Sequence, residues 1–429
     1  MSATRRIALV PSEPIRATMA GIGIRYHELA QRLPREGIEV VVVNPGDLDA
    51  ARELLPDTEL RRFDGAQLAR QLADCDAAVT QGQLANDVLY ACPELPVAVD
   101  LYDPFLVENL SYFETLGLDP YRNDHATWVH QLSRGDFFLC SSEEQRQFYL
   151  GFLAAVGRLN PPRVHRNPIL DDLVALVPFG IPEALPPART LLDPPREGER
   201  RLLFGGLYDW YDPWPVLEAL ASADAAEGWT LWLIHNPNPG ATPQRLLGEV
   251  ERWCRERGLW ESRIRLLDWV PAERRYDLLR EVDLMVSTHL PTLETRLSLR
   301  TRFLDALAAG CPVVTSQGGA MSRLLEQHDA GWVVPAGDGA AVAAAFREIL
   351  NDPEARQRRR QGGERLLEAF RWEQVLEPLV RFCRDPWRDE SKDEFASRPA
   401  TTTPPDALGF RIRRFLKRQR DRLFGGGNP

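Results

Sequence analysis

The stretch "ETRLSLRTRFLDALAAGCPVVTSQGG", residues 294–319, places Arg296, Arg300 and Arg302 at the apparent start of an apolar helix. A helix N-terminus already carries partial positive charge, so each cation there costs a few tenths to about 1 kcal/mol. An anion that is not part of this stretch would offset that cost. Arginine suits such a partner, because its guanidinium stays charged and donates in pairs to phosphate or carboxylate. Asp305 lies three residues past Arg302 and four past Thr301, on a shared helix face. The "SQGG" turn, with Gly318 and Gly319, offers backbone N–H groups at the next helix start. Plainer readings stand beside these: Arg296 pairs with Glu294, or Asp305 with Arg302, for structure alone.

The elements that must position these groups alternate along the chain. Apolar runs at 5–10, 38–43, 77–81, 96–102, 136–142 and 173–180 are separated by helical patterns. The alternation restarts at "RRLLFGG" and runs through "WTLWLIHN", "RIRLLDWV", "VDLMVST" and "PVVTSQGG" to "AGWVVPAGD". Continuous apolar strands between helices predict parallel sheets covered on both faces. The proline- and charge-rich segment 181–200 separates the two halves. The expected fold class is therefore α/β, with two Rossmann-like domains facing a cleft, at 1–182 and 198–370. A linker at 183–197 joins them, a return helix at 371–388 packs back on the first domain, and a disordered linker and basic tail fill 389–429. Such sheets bind ligands at the carboxyl ends of their strands, which puts the site in the cleft between the domains.

A chain of 429 residues is too long for one core. Its net charge of −10 argues against nucleic acid as a partner. Its longest apolar runs suit buried strands and fall short of a membrane span. Arg5 and Arg6 lead directly into the first strand, so no secretory signal is expected. The six cysteines form no close pair, which fits reduced thiols and a cytoplasmic setting. "GIGIRY", 21–26, matches a dinucleotide fingerprint only in part, since Tyr26 stands where the third glycine belongs and no ribose-binding acid follows the second strand. It is a simple turn, or a loop whose Gly21, Gly23 and Arg25 meet an anion or sugar.

In the second half, "LLDWVPAERRYDLLREVDLMVSTHLPTLE", "RFLDALAAGCPVVTSQGG" and "AGWVVPAGD" together resemble the donor-binding domain of GT-B glycosyltransferases, close to family four. "VPFGIP" at 177–182 resembles the turn that ends their first domain. "DLYDPFLVENL", "CSSEEQRQFYLG" and "FGGLYDWYDPWPVLEAL" resemble a branch found among bacterial surface-polysaccharide enzymes. The resemblance spans about residues 5–385 and is specific in aggregate. The chain departs from the pattern in two places. Family-four enzymes carry two glutamates eight positions apart; here Asp305 holds the second position and Leu297 the first. The family's Arg and Lys after the second-domain "GG" are replaced by "LYDWYDP".

The resemblance implies transfer of a sugar from a nucleoside-diphosphate sugar to a hydroxyl acceptor, retaining and metal-independent, with no cofactor beyond the nucleotide sugar. Gly205, Gly206, Asp209, Arg300, Thr301, Arg302, Asp305, Gly318 and Gly319 are then expected on the donor. Asp100 and Asp103, at a strand end, are the candidates to orient or deprotonate the acceptor, and Glu143 is a further contact or a helix cap. "DCD" at 74–76 resembles the metal-binding acids of the other main glycosyltransferase fold, but it precedes a strand and is set aside. "FRIRRFLKRQRDRLF", 410–424, carries seven cations against one acid and alternates them with apolar residues. It is either a solvated extension or a helix for an anionic membrane surface, where a lipid-linked glycan could be the acceptor. Two other functions stay open: a nucleotide-sugar epimerase of the same fold, and a catalytically silent scaffold in a polysaccharide assembly complex.

Overall fold

The computed structural model describes residues 4–222, 228–234 and 245–396. Seven parallel strands form the first sheet: β1 Arg6–Val10, β2 Glu39–Asn44, β3 Glu59–Arg62, β4 Ala77–Gln81, β5 Val97–Asp100, β6 Phe137–Cys140 and β7 Val174–Leu176. Their spatial order is β3-β2-β1-β4-β5-β6-β7. The second sheet has six: β8 Arg200–Gly205, β9 Trp229–Ile234, β10 Ile264–Leu267, β11 Leu284–Ser287, β12 Val313–Ser316 and β13 Trp332–Val334, in the order β10-β9-β8-β11-β12-β13. Central strands such as "FFLC" and "LMVS" are buried throughout, which is why they read as unbroken apolar runs. The order reverses between β1 and β4 and between β8 and β11, so each sheet opens a crevice at those carboxyl ends.

The chain crosses between domains twice, side by side. Ile181 N–H donates to the Phe370 carbonyl at 2.7 Å, and Trp372 N–H donates to the Ile181 carbonyl at 3.1 Å. Gly180 lies flat on the Trp372 ring, where no Cβ would fit. Past this crossing Trp372, Leu379, Phe382 and Cys383 bury themselves in the core of the first domain beside Ile7 and Phe137. The linker follows the second domain, with Leu191 and Leu192 N–H each donating to Glu281 at 2.7 Å.

The disordered linker expected from 389 needs correction for its first residues. Ser391–Phe395 is a short helix, and Asp389 and Lys392 are buried against the first domain. Asp389 meets Arg158 at 2.6 Å and Arg163 at 2.9 Å, and Lys392 meets Asp136 at 2.6 Å. These charges sit far apart in sequence, so local polarity misled. The basic segment 410–424 lies outside the described residues. "DCD" is structural: Asp74 pairs with Arg61 at 2.7 Å, and Asp76 accepts from the Arg6 N–H at 2.7 Å.

Removing one side of a buried ion pair strands the other charge. Asp389→Ala should cost about 3–5 kcal/mol of first-domain stability, because buried Arg158 loses its ion-pair partner and Arg163 keeps Asp172 alone of its two. The urea midpoint of the variant tests this, and a shift worth under about 1 kcal/mol would show that the clip is dispensable.

Candidate functional site

The donor side starts at the end of β8. Gly205 has φ +82°, and a Cβ there would fall 2.6 Å from Arg302 Nη1, so only glycine lets this guanidinium lie against the strand end. The helix Thr301–Ala308 begins directly after Arg300, which supplies no side-chain cap. Arg300 and Arg302 both lie over the ring of Tyr211, each 5.2 Å from its centroid. The edge of His289 meets the same ring at 5.0 Å. Burial, and then the two arginines, hold the His289 imidazole well below its usual range. It is therefore neutral and adds no charge to the pair.

The two arginines differ in their commitments. Arg300 is bound to Glu294 at 2.5 Å, so the reading that both are free for an anion needs correction. Among the described residues Arg302 makes one hydrogen bond, a long 3.4 Å one to the Phe204 carbonyl, and keeps its other donors. Arg296 is exposed, and Glu294 turns to Arg300 instead of to it.

Arg302, Asp305, Gly205, Gly206 and Tyr208 border a cavity of about 180 Å³, lined further by Trp269 and Val270 and closed by Met19 and Ile24 of the first domain. Asp305 pairs with Arg275 at 3.3 Å rather than with Arg302, and the Tyr276 hydroxyl stands within hydrogen-bond reach of its carboxyl. Burial pushes its carboxyl up and Arg275 opposes this. Arg275 also faces Glu28 of the first domain at 3.7 Å, which links the domains beside the cavity. A larger cavity of about 870 Å³ lies behind Arg275, between the linker and the helix Gly21–Arg32. It holds none of the strand-end groups, and the smaller one is the better site. Thr301 opens the arginine helix. Gly319 N–H donates to Ser322 Oγ at 3.1 Å, and Gly318 has φ +109°. Asp209 accepts from Leu246 N–H at 3.2 Å and serves a neighbouring helix start.

On the acceptor side several sequence-based expectations change. Asp100 is 1% exposed and bound by Arg25 at 2.6 and 3.2 Å, so it has no oxygen free for an acceptor. Arg25, itself fully buried, cannot touch a ligand. The Gly21–Gly23 loop does meet an anion, but the chain's own: Glu13 accepts from Ala20 and Gly23 N–H, both at 2.7 Å. Glu143 accepts from Gln147 at 2.6 Å on an exposed first turn, which is local helix structure.

Asp103 does reach the cleft. It lies within hydrogen-bond reach of Glu108, and Glu294 approaches from the second domain. Burial, then the negative charges of Glu294, Asp100 and Glu13, push Asp103 up to about 6 against the hydrogen bond from Glu108. Burial and Asp103 push Glu108 well above its usual range. Among the described residues, no group of three or more His, Cys, Asp or Glu side chains is placed to hold a metal ion. Glu13, Glu108, Tyr211, Arg275 and His289 were not singled out as site residues from sequence. Glu108, Tyr211, Arg275 and His289 fall inside the motifs quoted above; Glu13 carries no local signal.

Two doubly wound parallel sheets facing each other across a cleft are the architecture of the GT-B fold. The second domain carries the sequence signature as well: residues 215–352 match the family described as Glycosyl transferases group 1. A phosphatidyl-myo-inositol mannosyltransferase of Mycobacterium leprae is 34% identical over 94 residues, 22% of this chain. The chain thus spans 25% of the length of that curated relative. The fold is shared with sucrose-phosphate synthase of Thermosynechococcus elongatus, with TM-score 0.65 and 16% identity over 89% of this chain and 98% of that one. It is shared with Anabaena HepE, solved in complex with UDP-glucose, with TM-score 0.62 and 15% identity over 88% and 99% of the two chains. No helix among the described residues is long and apolar enough to cross a membrane.

The carboxyl pair makes stability depend on pH. A carboxyl whose value is raised on folding binds its proton more tightly in the fold, so its contribution is full below the unfolded value of about 4. That contribution is lost as pH rises through about 6. Glu108→Gln removes one ionisable partner and should relieve the loss. The melting temperature of the variant relative to the unsubstituted protein should climb between about pH 4.5 and 7.5. A difference that stays flat across this window would show that the two carboxyls are not coupled.

Proposed function

We propose that this protein transfers a sugar from a nucleoside-diphosphate sugar to a hydroxyl acceptor. The observation that carries the reading is Arg302, a guanidinium with uncommitted donors at a helix start, beside Gly205 and at the mouth of the cavity that holds Asp305. Cleavage of the sugar–phosphate bond puts negative charge on the departing diphosphate. A fixed cation and helix-start N–H groups stabilise that charge without reorganising. Tyr211 holds Arg302 from one side, and Arg300, half neutralised by Glu294, adds a weaker field behind it. Asp305, whose carboxyl borders the cavity beside Arg302, is suited to accept hydrogen bonds from the two ribose hydroxyls. The finer parts of the proposal rest on family resemblance: retention of configuration, chemistry without a metal, and a place in surface-polysaccharide or glycoconjugate synthesis. Action on lipid-linked acceptors at the inner membrane face, reached through 410–424, rests on the composition of that segment.

Calorimetric titration with UDP and GDP tests the donor half. Arg302→Ala should weaken the bound nucleotide by about 1.5–3 kcal/mol, the range for a hydrogen bond to a charged group. Arg300→Ala should cost less, because Glu294 already holds it. Equal affinity in a folded Arg300/Arg302 double variant would remove the diphosphate from this site. Incubation with UDP-glucose should release UDP slowly by transfer or hydrolysis. Isomerised sugar with the nucleotide still attached would mark an epimerase instead.

A second test addresses Asp305. Asp305→Asn should lower the preference for ribose over 2′,3′-dideoxy nucleotides, since an amide presents one acceptor where a carboxylate presents two. An unchanged ratio of the two affinities would place the ribose elsewhere.

A further inference from the structure

Carboxylates of both domains gather where Glu108 of the first meets Glu294 and Ser298 of the second. Ser298 Oγ donates to Glu294 at 2.7 Å and stands 3.4 Å from Glu108, so it joins the acids of the two domains. Glu13 and Asp100 lie close enough to act on Asp103 through their charge. Arg25 is paired with Asp100 and Arg300 with Glu294, and Arg16 acts on Glu13 through its charge; among the described residues Asp103 and Glu108 have no ion-paired cation of their own. A second observation points to a ligand. Tyr112 is 4% exposed, yet among the described residues its hydroxyl has no hydrogen-bond partner. Asp209, Glu108, Tyr208 and Tyr211 are the groups whose charge acts on it. Its ring meets Trp210 edge-on at 5.9 Å, and Trp210 stacks on Tyr208 at 5.0 Å with planes 5° apart.

Flat aromatic faces beside acceptor oxygens and a waiting hydroxyl suit a pyranose ring. Its C–H face packs on the rings and its hydroxyls donate to the acids. We infer that the Asp103–Glu108–Glu294 wall, with Tyr112, receives the acceptor sugar and selects it by charge. It admits a neutral or amine-bearing sugar and excludes one that carries a phosphate, sulfate or carboxylate. A negative group would face the Asp103 and Glu108 carboxyls, with which no cation is ion-paired among the described residues. An ammonium would take the place of the proton that Asp103 and Glu108 share. This rests on the glycosyl-transfer reading, and it names the acceptor class for the same cleft.

The test uses the full-length protein saturated with UDP. Methyl glycosides of glucose, glucosamine and glucuronic acid, and the corresponding galactose series, are titrated by saturation-transfer NMR. The neutral and amino glycosides should bind, the amino glycoside the more tightly. The uronide should bind about tenfold or more weakly than the neutral sugar. Glu108→Gln and Asp103→Asn should each narrow that gap and erase the advantage of the amine. Three results overturn the inference: a uronide that binds as well as the neutral glycoside, a gap that both variants leave intact, or no glycoside bound at all. UDP binding, measured first and separately, reports on the donor reading. A protein that binds UDP but does not rank the glycosides by charge loses this inference alone. One that binds no nucleoside diphosphate loses the glycosyl-transfer reading as well.

Discussion

Arg25 keeps a full charge where no water reaches it, and the shape of the cleft follows from how that charge is satisfied. Two of its bonds go to Asp100, and two go to the carbonyls of Val177 and Pro178 at 2.7 and 3.0 Å. They join the helix after β1, the end of β5 and the chain just past β7. Breaking any of them would leave a buried ion or carbonyl without a partner, which is among the costliest changes a core can suffer. The Tyr102 ring lies under the same guanidinium at 4.9 Å. The backbone leaving β5 is thereby fixed, and Asp103 is turned toward the cleft while Asp100 is turned away. The path toward the second domain begins at the carbonyls that Arg25 holds.

Both domains use the same topology, and they fill equivalent places with opposite charges. At the first strand of the first sheet, the carboxylate of Glu13 occupies the N-terminus of the following helix. At the first strand of the second sheet, the Arg302 guanidinium lies against the glycine of the turn. The two equivalent strand ends therefore carry opposite charges, a carboxylate at the first sheet and a guanidinium at the second. Neutral His289 preserves that polarity, since a protonated imidazole next to two guanidiniums would repel both.

Much of the fold could be read from sequence, because burial on both faces of a parallel sheet leaves an unmistakable apolar run. The exception, β3, is "ELRR" at a sheet edge, where Arg6 and Arg61 pair with Glu59 and no apolar run is needed. In the site, Arg302, Gly205 and Asp305 were legible because helix spacing and strand-end glycines are local signals. Asp100 and Arg25 were misassigned because each looks like a free charge until its partner, 75 residues away, is seen. Glu13, Arg275, His289 and Asp389 were missed for the same reason: what each does depends on contacts that no short stretch of sequence contains.

The paired crossings at Ile181 and Phe370–Trp372 limit how the halves can move. Two backbone strands bonded to each other, pinned on one side by a buried tryptophan, resist sliding and stretching but tolerate a small change of angle. Opening and shutting is then reduced to a single swing, like a door on one pin. Groups near the pin, such as Arg275 and Glu28, keep their partners through the swing, while those at the far rim, Tyr112 against Trp210, travel farthest. A rim contact such as Tyr112 on Trp210 is thus more sensitive to the angle than the Arg275–Glu28 pair beside the pin.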